Sequence, residues 1–377
     1  MAKKRANGEG SITKRPNGTW EGRITVDGKR QSFYGRTQRE VKARMDEVKK
    51  KILTGTWLTP NDYTVEIWLK EWMDDYITPN VKPRTTERYW TDIRLHIVPY
   101  IGTVRLQDLT APMLQKFINQ CRSSGISAKS VRNLHGVLHE ALAQAVRCEL
   151  INKNVSELCL LPKAIKPEMH PLKDEKVKEF LEAIKGHRYE DMYFFMMFTG
   201  LRESEAIGLM WDCVDLERGK ITVNKQLQKA HSGRGKVFFS TPKNGKSRTF
   251  TVAPSVIQVL KRVQVRQKEW QLKCGSKWQN DDNLVFTTEL GKHVSCHTLY
   301  NNFKEIVRSI GVPETRLHDL RHTFATLALQ NDVDIKTVSE MMGHATVAFT
   351  LDRYGHMTET MQQHASDRMQ SFIDKLG

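Results

Sequence analysis

The N-terminal part of the chain shows a period of two. From Trp20 to Val26, apolar and small side chains alternate with polar ones, which is typical of a half-buried β-strand. Asn17-Gly18 and Asp27-Gly28 are dipeptides that favour tight hairpin turns. The pattern predicts a three-stranded antiparallel sheet over residues 8–36 and a following helix with Thr37 as its N-cap. One sheet face is expected to be buried and the other to present four basic residues to solvent or DNA: Lys14, Arg23, Lys29 and Arg30.

Residues 63–163 carry a helical period instead. Apolar residues recur at spacings of three and four, which places them along one face of a helix. The expected helices are Val65–Tyr76, Arg84–Ile97, a helix from Thr110 to Gln120, and Ala128–Arg147. Three basic residues of this region are candidate phosphate contacts or, equally, members of a solvated charged face: Lys82, Lys129 and Arg132.

The longest of these helices contains two histidines, His135 and His139, at i and i+4. A zinc site would need a third ligand, and Glu140 stands differently from the glutamate of the H-E-x-x-H motif. The spacing therefore favours histidines that face DNA or the core over a metal site.

A polar stretch with two prolines at 163–171 predicts a linker. Beyond it, helices are expected at Asp174–Ala183, at Glu190–Phe198 and from Ser255 onwards, with strands at Lys220–Val223, Lys236–Ser240 and Ser247–Val252. The sequence thus predicts a multidomain, mainly α protein. It has a small N-terminal three-stranded β-sheet plus helix, a helical middle domain, and an α-rich C-terminal domain with a small antiparallel sheet.

Positive charge is concentrated at one end of the chain. The net charge is +16, and residues 1–57 hold fifteen Lys and Arg against six Asp and Glu. Such a segment indicates a polyanionic partner such as nucleic acid. Six scattered cysteines without a C-x-x-C pair predict reduced thiols. The start lacks the apolar region of a signal peptide, and the longest apolar run, Met192–Phe198, is too short to span a membrane. We therefore expect an intracellular protein without a membrane partner.

The C-terminal part carries residue types that suit chemistry on a phosphate. His318 and Arg321 stand at i and i+3, on one face of a predicted helix. A second helix ends at a glycine stop, Gly343, which His344 follows directly. Tyr354 comes soon after, so cations are presented beside a phenol. The sequence shows no carboxylate cluster of the kind that holds catalytic metals, so side chains are expected to supply the positive charge.

An upstream arginine, Arg202, completes this set. With Arg202, His318, Arg321, His344 and Tyr354 in this order, the chain resembles the tyrosine recombinases, the phage lambda integrase family, over roughly residues 60–377. The N-terminal part is similar, more loosely, to the integrases of conjugative transposons.

The resemblance implies an arm-type DNA-binding domain at 1–58, a core-binding domain at 63–163 and a catalytic domain at 172–377. It implies a site-specific DNA recombinase, the integrase or excisionase of a mobile element. Such an enzyme cleaves and rejoins DNA through a 3′-phosphotyrosine and a Holliday junction, without metal, ATP or another cofactor. The implied partners are double-stranded DNA with core-type and arm-type sites, three further copies in a homotetramer, and accessory directionality and DNA-bending proteins. The implied location is the bacterial cytoplasm, at the nucleoid.

Each member of the set has an expected role. Arg202 and Arg321 suit bidentate contact with the non-bridging oxygens of the phosphate. Tyr354 is the expected nucleophile, His318 its general base, and His344 a donor to a phosphate oxygen. Two alternatives remain: a topoisomerase-like relaxing enzyme with the same chemistry, and a DNA-binding regulator that never cleaves.

Two further residues are candidates beside this set. Glu205 follows Arg202 by three residues and is expected to orient the cations or to form a simple surface pair. A general acid is expected in Lys243-Asn-Gly-Lys246, where Asn244-Gly245 predicts a two-residue hairpin turn with both lysines on one face. The geometry of the turn does not decide which of the two lysines is the general acid. The family's catalytic lysine stands just before this turn, so the resemblance implies Lys243.

Overall fold

The computed structural model describes residues 10–376 except 27, 55–56, 166–167, 230–236, 243–244 and 355–357, and without the side chains of residues 29, 358–365 and 368. The chain divides into two compact units, Met1–Lys166 and Pro167–Gly377. The predicted fold class is confirmed: both units are mainly helical, with a three-stranded sheet at the N-terminus and small sheets in the second unit. Among the helices described, none combines the length and apolar character needed to cross a membrane.

The N-terminal sheet is antiparallel and has the order β1-β2-β3. Its strands are β1 (Ser11–Lys14), β2 (Trp20–Val26) and β3 (Lys29–Gly35), and helix α1 (Gln38–Leu53) follows. The predicted cap is confirmed, because the Thr37 side chain accepts a hydrogen bond from the backbone N–H of Glu40 at 3.2 Å.

Helix α1 packs on one face of this sheet through Val41 and Met45, which share a small core with Ile24. Gly22 lies directly beneath the helix. A Cβ atom at Gly22 would stand 2.4 Å from Met45 and 2.5 Å from Val41, so the close approach of helix and strand requires glycine there.

The prediction for the basic face of the sheet is wrong for Lys14. Arg23 and Arg30 do lie in the register of the face turned away from α1. Lys14 pairs with Trp20, and paired residues on neighbouring strands share a face, so Lys14 lies on the side that α1 covers. The Lys29 side chain lies outside the described residues.

The middle region is helical, as predicted, with two π-helical turns and one 3₁₀ turn between its α-helices and a further 3₁₀ turn after α6. The α-helices are α2 (Val65–Trp72), α3 (Pro83–Asp92), α4 (Val98–Ile101), α5 (Ala111–Ser123) and α6 (Ala128–Arg147). The two histidines of α6 bind a following turn: His135 Nε2 lies 2.9 Å from the Ser156 carbonyl oxygen, and His139 Nδ1 lies 3.1 Å from the Ser156 hydroxyl. They therefore tie the end of the region back onto α6.

The second unit contains the remaining elements. Its helices are α7 (Asp174–Ala183), α8 (Glu190–Thr199), α9 (Glu203–Ile207), α10 (Pro254–Cys274), α11 (Cys296–Ser309), α12 (Asp319–Gln330), α13 (Ile335–Met342), α14 (Val347–Tyr354) and α15 (Thr358–Leu376). Its strands are β4 (Val214–Asp215), β5 (Lys220–Val223), β6 (Gln226–Lys229), β7 (Val237–Ser240) and β8 (Arg248–Thr251). The main core lies between α7, α8, α10, α11 and the β5 strand, while α12, α13 and Tyr354 form a separate, smaller core.

The predicted hairpin at Asn244-Gly245 is wrong. Strand β7 pairs with β6 and strand β8 pairs with β5, so the strands on either side of this turn belong to two different sheets. The hydrogen bond of the turn runs from the Gly245 N–H to the Pro242 carbonyl oxygen at 2.9 Å, one residue earlier than a two-residue turn at Asn244-Gly245 requires. Lys243 and Asn244 themselves lie outside the described residues.

Candidate active site

Arg321 is the most deeply placed cation of the predicted set. It lies in the first turn of α12 and is only 3% exposed. Its Nη1 and Nη2 atoms donate hydrogen bonds of 2.6 Å to the carbonyl oxygens of Gly200 and Met342. The guanidinium therefore bridges the end of α8 and the end of α13.

Two glycines in the left-handed conformation end α8 and α13, beside the carbonyl oxygens that bind Arg321. Gly200 ends α8 with a φ of +63° and Gly343 ends α13 with a φ of +65°. A Cβ atom at Gly200 would lie 2.4 Å from the Phe324 ring, and one at Gly343 would lie 2.8 Å from the Arg248 guanidinium. Any residue other than glycine would therefore clash at either position.

The last turn of α13 gathers three arginines. The carbonyl oxygens of Met341, Met342 and Gly343 accept hydrogen bonds from Arg248 at 2.8 Å, Arg321 at 2.6 Å and Arg202 at 3.2 Å, respectively. A helix C-terminus carries partial negative charge on such carbonyls, which favours cations there. The next residue along the chain is His344.

A single carboxylate lies among these arginines. Glu205 has a fully buried side chain and accepts hydrogen bonds from the Arg202 backbone N–H at 3.0 Å and from Arg202 Nη1 at 2.8 Å. Arg248 donates to both of its oxygens, at 3.1 and 2.6 Å. Glu205 is thus no surface pair, and it fixes two of the three arginines.

The charge environment of Glu205 makes stability depend on pH. Burial raises the pKa of the carboxyl, but hydrogen bonding to Arg248 and the charges of Arg248 and Arg202 outweigh burial and hold it at about 2, below the ordinary 4.5. A depressed carboxyl pKa contributes stability above about pH 4.5 that is lost as the pH falls towards about 2. A shift of this size corresponds to about 3 kcal/mol.

We expect Glu205→Gln to lower the free energy of unfolding by roughly 3–5 kcal/mol at neutral pH, because two half-buried arginines lose their buried carboxylate. The difference from wild type should shrink as the pH falls below about 4.5, since wild type then loses the same interaction. Urea unfolding at several pH values measures the stability difference and its dependence on pH. The matched control is Glu217→Gln, at an exposed glutamate. A difference that stays constant with pH would contradict this assignment.

His344 is oriented by two residues of α14. Its Nδ1 atom lies 2.8 Å from the hydroxyl of buried Thr350, and its ring packs edge-on against Phe349 at 4.9 Å between centroids. Burial, together with Arg321 and Arg202, lowers the pKa of His344 to about 3. A hydroxyl that donates to Nδ1 leaves the proton on Nε2, so the neutral ring can donate from that nitrogen.

His318 stands at the start of α12, where it remains exposed to solvent. Desolvation of the ring and the charge of the neighbouring Arg321 lower the pKa of His318 to about 4, and water at its exposed edge moderates this effect. Its ring meets that of His322 edge-on at 5.2 Å.

Tyr354 ends α14 and is only 2% exposed, packed with Phe324 and Met342 in the smaller core. Burial raises the pKa of its phenol to about 12, against the opposing effect of Arg321. The phenolic oxygen lies 2.5 Å from Nδ1 of His322.

The structure therefore brings Arg202, Glu205, Arg321 and His344 together around the end of α13, with Tyr354 on the next helix. Sequence reasoning missed two residues here. Arg248 binds the same carboxylate, Glu205, as Arg202 does. The only sequence feature that pointed to Arg248 was its position shortly after the two candidate lysines. His322 follows Arg321 and stands four residues after His318, on the same helix face, which was a usable signal.

The candidate general acid Lys243 lies outside the described residues. Lys246 is described and exposed. It lines a cavity of about 390 Å³ between β8 and α13, together with Arg248 and His344. Lys246 therefore lies at a cavity that Arg248 and His344 also line.

The predicted DNA contacts of the helical region lie in the first unit. Lys82 is exposed at the N-cap of α3, and Lys129 and Arg132 are exposed on α6. Arg132 donates a hydrogen bond of 3.4 Å to the Pro162 carbonyl oxygen. Lys129 and Arg132 lie one turn apart on the same helix.

Comparison with known proteins adds independent information. The family model described as phage integrase family matches residues 138–361, more than half of the chain, and the phage integrase N-terminal SAM-like domain matches residues 64–121. A tyrosine recombinase XerC-like protein of Caldanaerobacter subterraneus subsp. tengcongensis is 29% identical over 356 residues, covering 90% of this chain and 91% of the relative. The ICEBs1 integrase of Bacillus subtilis is 24% identical over 295 residues, covering 78% and 79%.

Solved structures share the fold. The Tn1549 transposon integrase in complex with transposon right end DNA matches with a TM-score of 0.70 at 22% identity, covering 81% of this chain and 99% of that chain. A lambda integrase tetramer bound to a Holliday junction matches with a TM-score of 0.59 at 16% identity, covering 92% and 97%. The chain belongs to the phage integrase family, and it is a tyrosine-type site-specific DNA recombinase of the kind encoded by mobile elements.

Proposed function

We propose that Tyr354 attacks the scissile phosphate and displaces the 5′-oxygen. The products are a 3′-phosphotyrosine and a free 5′-hydroxyl. The bond energy is kept in the covalent intermediate, so a 5′-hydroxyl from another strand can reverse the step without ATP. Two such exchanges between duplexes pass through a Holliday junction.

The observation that supports this proposal most is the gathering of cations at the end of α13. Three successive carbonyl oxygens hold Arg248, Arg321 and Arg202, and His344 follows at once. Attack on a phosphodiester builds negative charge on the non-bridging oxygens, and preorganised donors stabilise that charge.

Each residue then has a role. A guanidinium has five N–H donors, so Arg202 and Arg321 can hold their positions and still contact the phosphate. His344 donates from Nε2 to a non-bridging oxygen, and His318 lies at the exposed entrance of the site as a further phosphate contact. Glu205 positions the arginines, and Lys243 supplies the proton to the leaving oxygen.

The domain roles also remain proposals. Residues 1–58 would bind arm-type sites, residues 63–163 core-type sites, and residues 172–377 would perform strand transfer. Four copies would act together on two duplexes, with accessory proteins that set direction and bend DNA, in the cytoplasm at the nucleoid. The Tn1549 and lambda integrase complexes support this arrangement by analogy.

The experiment that tests the function is capture of covalent complexes from cells that express the protein, followed by sequencing of the attached DNA ends. A recombinase should yield defined ends, and a nicked duplex built from them should trap the intermediate. Joining of a second duplex then separates a recombinase from a relaxing enzyme. A protein that binds but never attaches to DNA would contradict the proposal.

We further expect the trapped complex to form at an unchanged rate in excess EDTA, because arginines and a lysine supply the positive charge. Gel analysis in SDS of reactions with EDTA or with magnesium measures this. Adduct formation that requires magnesium would overturn the proposed mechanism. If magnesium is needed only for a step after cleavage, the proposed mechanism stands.

The N-terminal sheet offers a separate test. Glu21 binds Arg23 through two hydrogen bonds of 2.9 Å on the open face, so part of the Arg23 charge is already compensated. Arg30 is exposed on the same face. We therefore expect Arg30 to make the stronger DNA contact of the two.

Arg30→Ala should weaken binding to arm-type DNA and reduce the salt dependence of the binding constant by about 0.9 in log–log slope for each phosphate that the variant no longer neutralises. Lys42→Ala removes the same charge from the exposed face of α1 and serves as the matched control. Fluorescence anisotropy at several salt concentrations measures the slopes. Equal slopes for wild type and Arg30→Ala would show that this face does not contact DNA.

A further inference from the structure

His322 is a half-buried titratable group in contact with the nucleophile, and the proposed mechanism does not yet use it. Its Nδ1 atom lies 2.5 Å from the Tyr354 hydroxyl, with ring centroids 5.9 Å apart. His318 was the expected base. In the described part of the chain, however, His318 contacts the His322 ring and makes no hydrogen bond to Tyr354.

The environment keeps both partners of this hydrogen bond neutral. Burial raises the pKa of the Tyr354 phenol, while burial and the neighbouring His318 lower the pKa of the His322 ring. In the tautomer of His322 that carries its proton on Nε2, the phenol donates and Nδ1 accepts. The resting structure holds the nucleophile and an available acceptor in contact.

We infer that His322, and not His318, accepts the proton of Tyr354 as the phenolic oxygen attacks DNA. The inference rests on the proposed function. The O–H bond of Tyr354 breaks and an N–H bond forms at Nδ1 of His322. The freed oxygen electron pair forms the bond to phosphorus, the bond from phosphorus to the 5′-oxygen breaks, and Lys243 protonates that oxygen. On rejoining, His322 returns the proton to the departing phenol.

DNA itself makes the transfer easier. The positive charge of Arg321 and Arg353 disfavours a second proton on His322, while Asp319 favours it. A phosphodiester bound between the arginines adds negative charge to the same small volume and offsets part of their effect. Proton acceptance is thereby coupled to the presence of the substrate.

The test measures the single-turnover rate of adduct formation on the nicked duplex. His322→Asn keeps an oxygen that can accept a hydrogen bond near the Nδ1 position but cannot take the proton. We expect its rate to fall about 10²-fold or more with DNA affinity unchanged. His297→Gln, at an exposed histidine on α11, is the control and should react like wild type.

A second arm separates proton acceptance from positioning. Replacement of Tyr354 by 3,5-difluorotyrosine acidifies the phenol, so it should restore much of the rate in His322→Asn and little in His318→Asn. Wild-type rate in His322→Asn, or rescue that follows His318→Asn instead, would overturn the inference. Should His322→Asn fail to fold, the wild-type protein carries the test: its solvent deuterium isotope effect should shrink with the acidified phenol, and an unchanged effect would also overturn it.

The inference and the proposed function fail separately. If the trapped adduct maps to a residue other than Tyr354, the function assigned to this site fails. If it maps to Tyr354 and the fluorinated phenol rescues neither histidine variant, only the role of His322 fails.

Discussion

Tyr354→Phe will form no covalent complex with a nicked core-site duplex, while its affinity for that DNA stays within about twofold of wild type. The substitution removes only the phenolic oxygen and leaves the ring packed with Phe324 and Met342. Removal of the hydrogen bond to His322 costs about 1–3 kcal/mol if the ring nitrogen stays unsatisfied, which a folded domain of this size tolerates.

Gel analysis in SDS of the trapped complex, with anisotropy for binding, measures both parts of this expectation. Tyr300→Phe is the matched control, because it removes the same hydroxyl group from a tyrosine that is 41% exposed on α11. Tyr300→Phe should react like wild type. An adduct that persists in Tyr354→Phe and disappears in Tyr300→Phe would reassign the nucleophile.

Lys243→Ala should slow cleavage of normal DNA about 10²–10⁴-fold, the usual contribution of a general acid. The leaving 5′-oxygen is a poor alkoxide and must gain a proton. A substrate with sulfur in place of the bridging 5′-oxygen has a leaving group that needs none. On that substrate Lys243→Ala should cleave at close to the wild-type rate.

Lys246→Ala is the matched control, because it removes a second lysine three residues further along the chain. It should be affected alike on both substrates. Single-turnover rates on the two substrates give the ratio for each variant. Rescue that follows Lys246 would move the general acid to that lysine, and absence of rescue in both variants would place the acid elsewhere.

Much of the fold was accessible from local sequence signals. Thr37 caps its helix as predicted, and Gly343 ends α13 in the left-handed conformation. The α6 boundaries Ala128–Arg147 match the prediction, because a long apolar stripe and an N-capping Ser127 define them locally. Such signals act within a few residues, so a sequence records them directly.

The wrong predictions concern features that depend on residues far apart in the sequence. Lys14 was expected on the sheet face turned away from α1, but its pairing with Trp20 places it on the side that α1 covers. The Asn244-Gly245 dipeptide favours a hairpin, yet β8 pairs with β5 and leaves β7 to β6. Pairing between strands far apart in the chain overrides a local turn preference.

The order Arg202, His318, Arg321, His344 and Tyr354 indicated the site, but not how its parts are held. The buried arginine–glutamate network depends on Arg248, which comes from a strand far from both partners in sequence. The contact between His322 and Tyr354 depends on how α14 packs on α12. Neither arrangement has a fixed sequence spacing, so only the folded chain reveals them.

The most direct test of the central claim is to identify the amino acid that carries the DNA. The complex trapped on a nicked core-site duplex is digested with protease and nuclease, and the remaining peptide is sequenced by mass spectrometry. The account predicts one modified peptide, with a nucleotide joined through its 3′-phosphate to Tyr354. Attachment through a 5′-phosphate, or through any residue other than Tyr354, would contradict it.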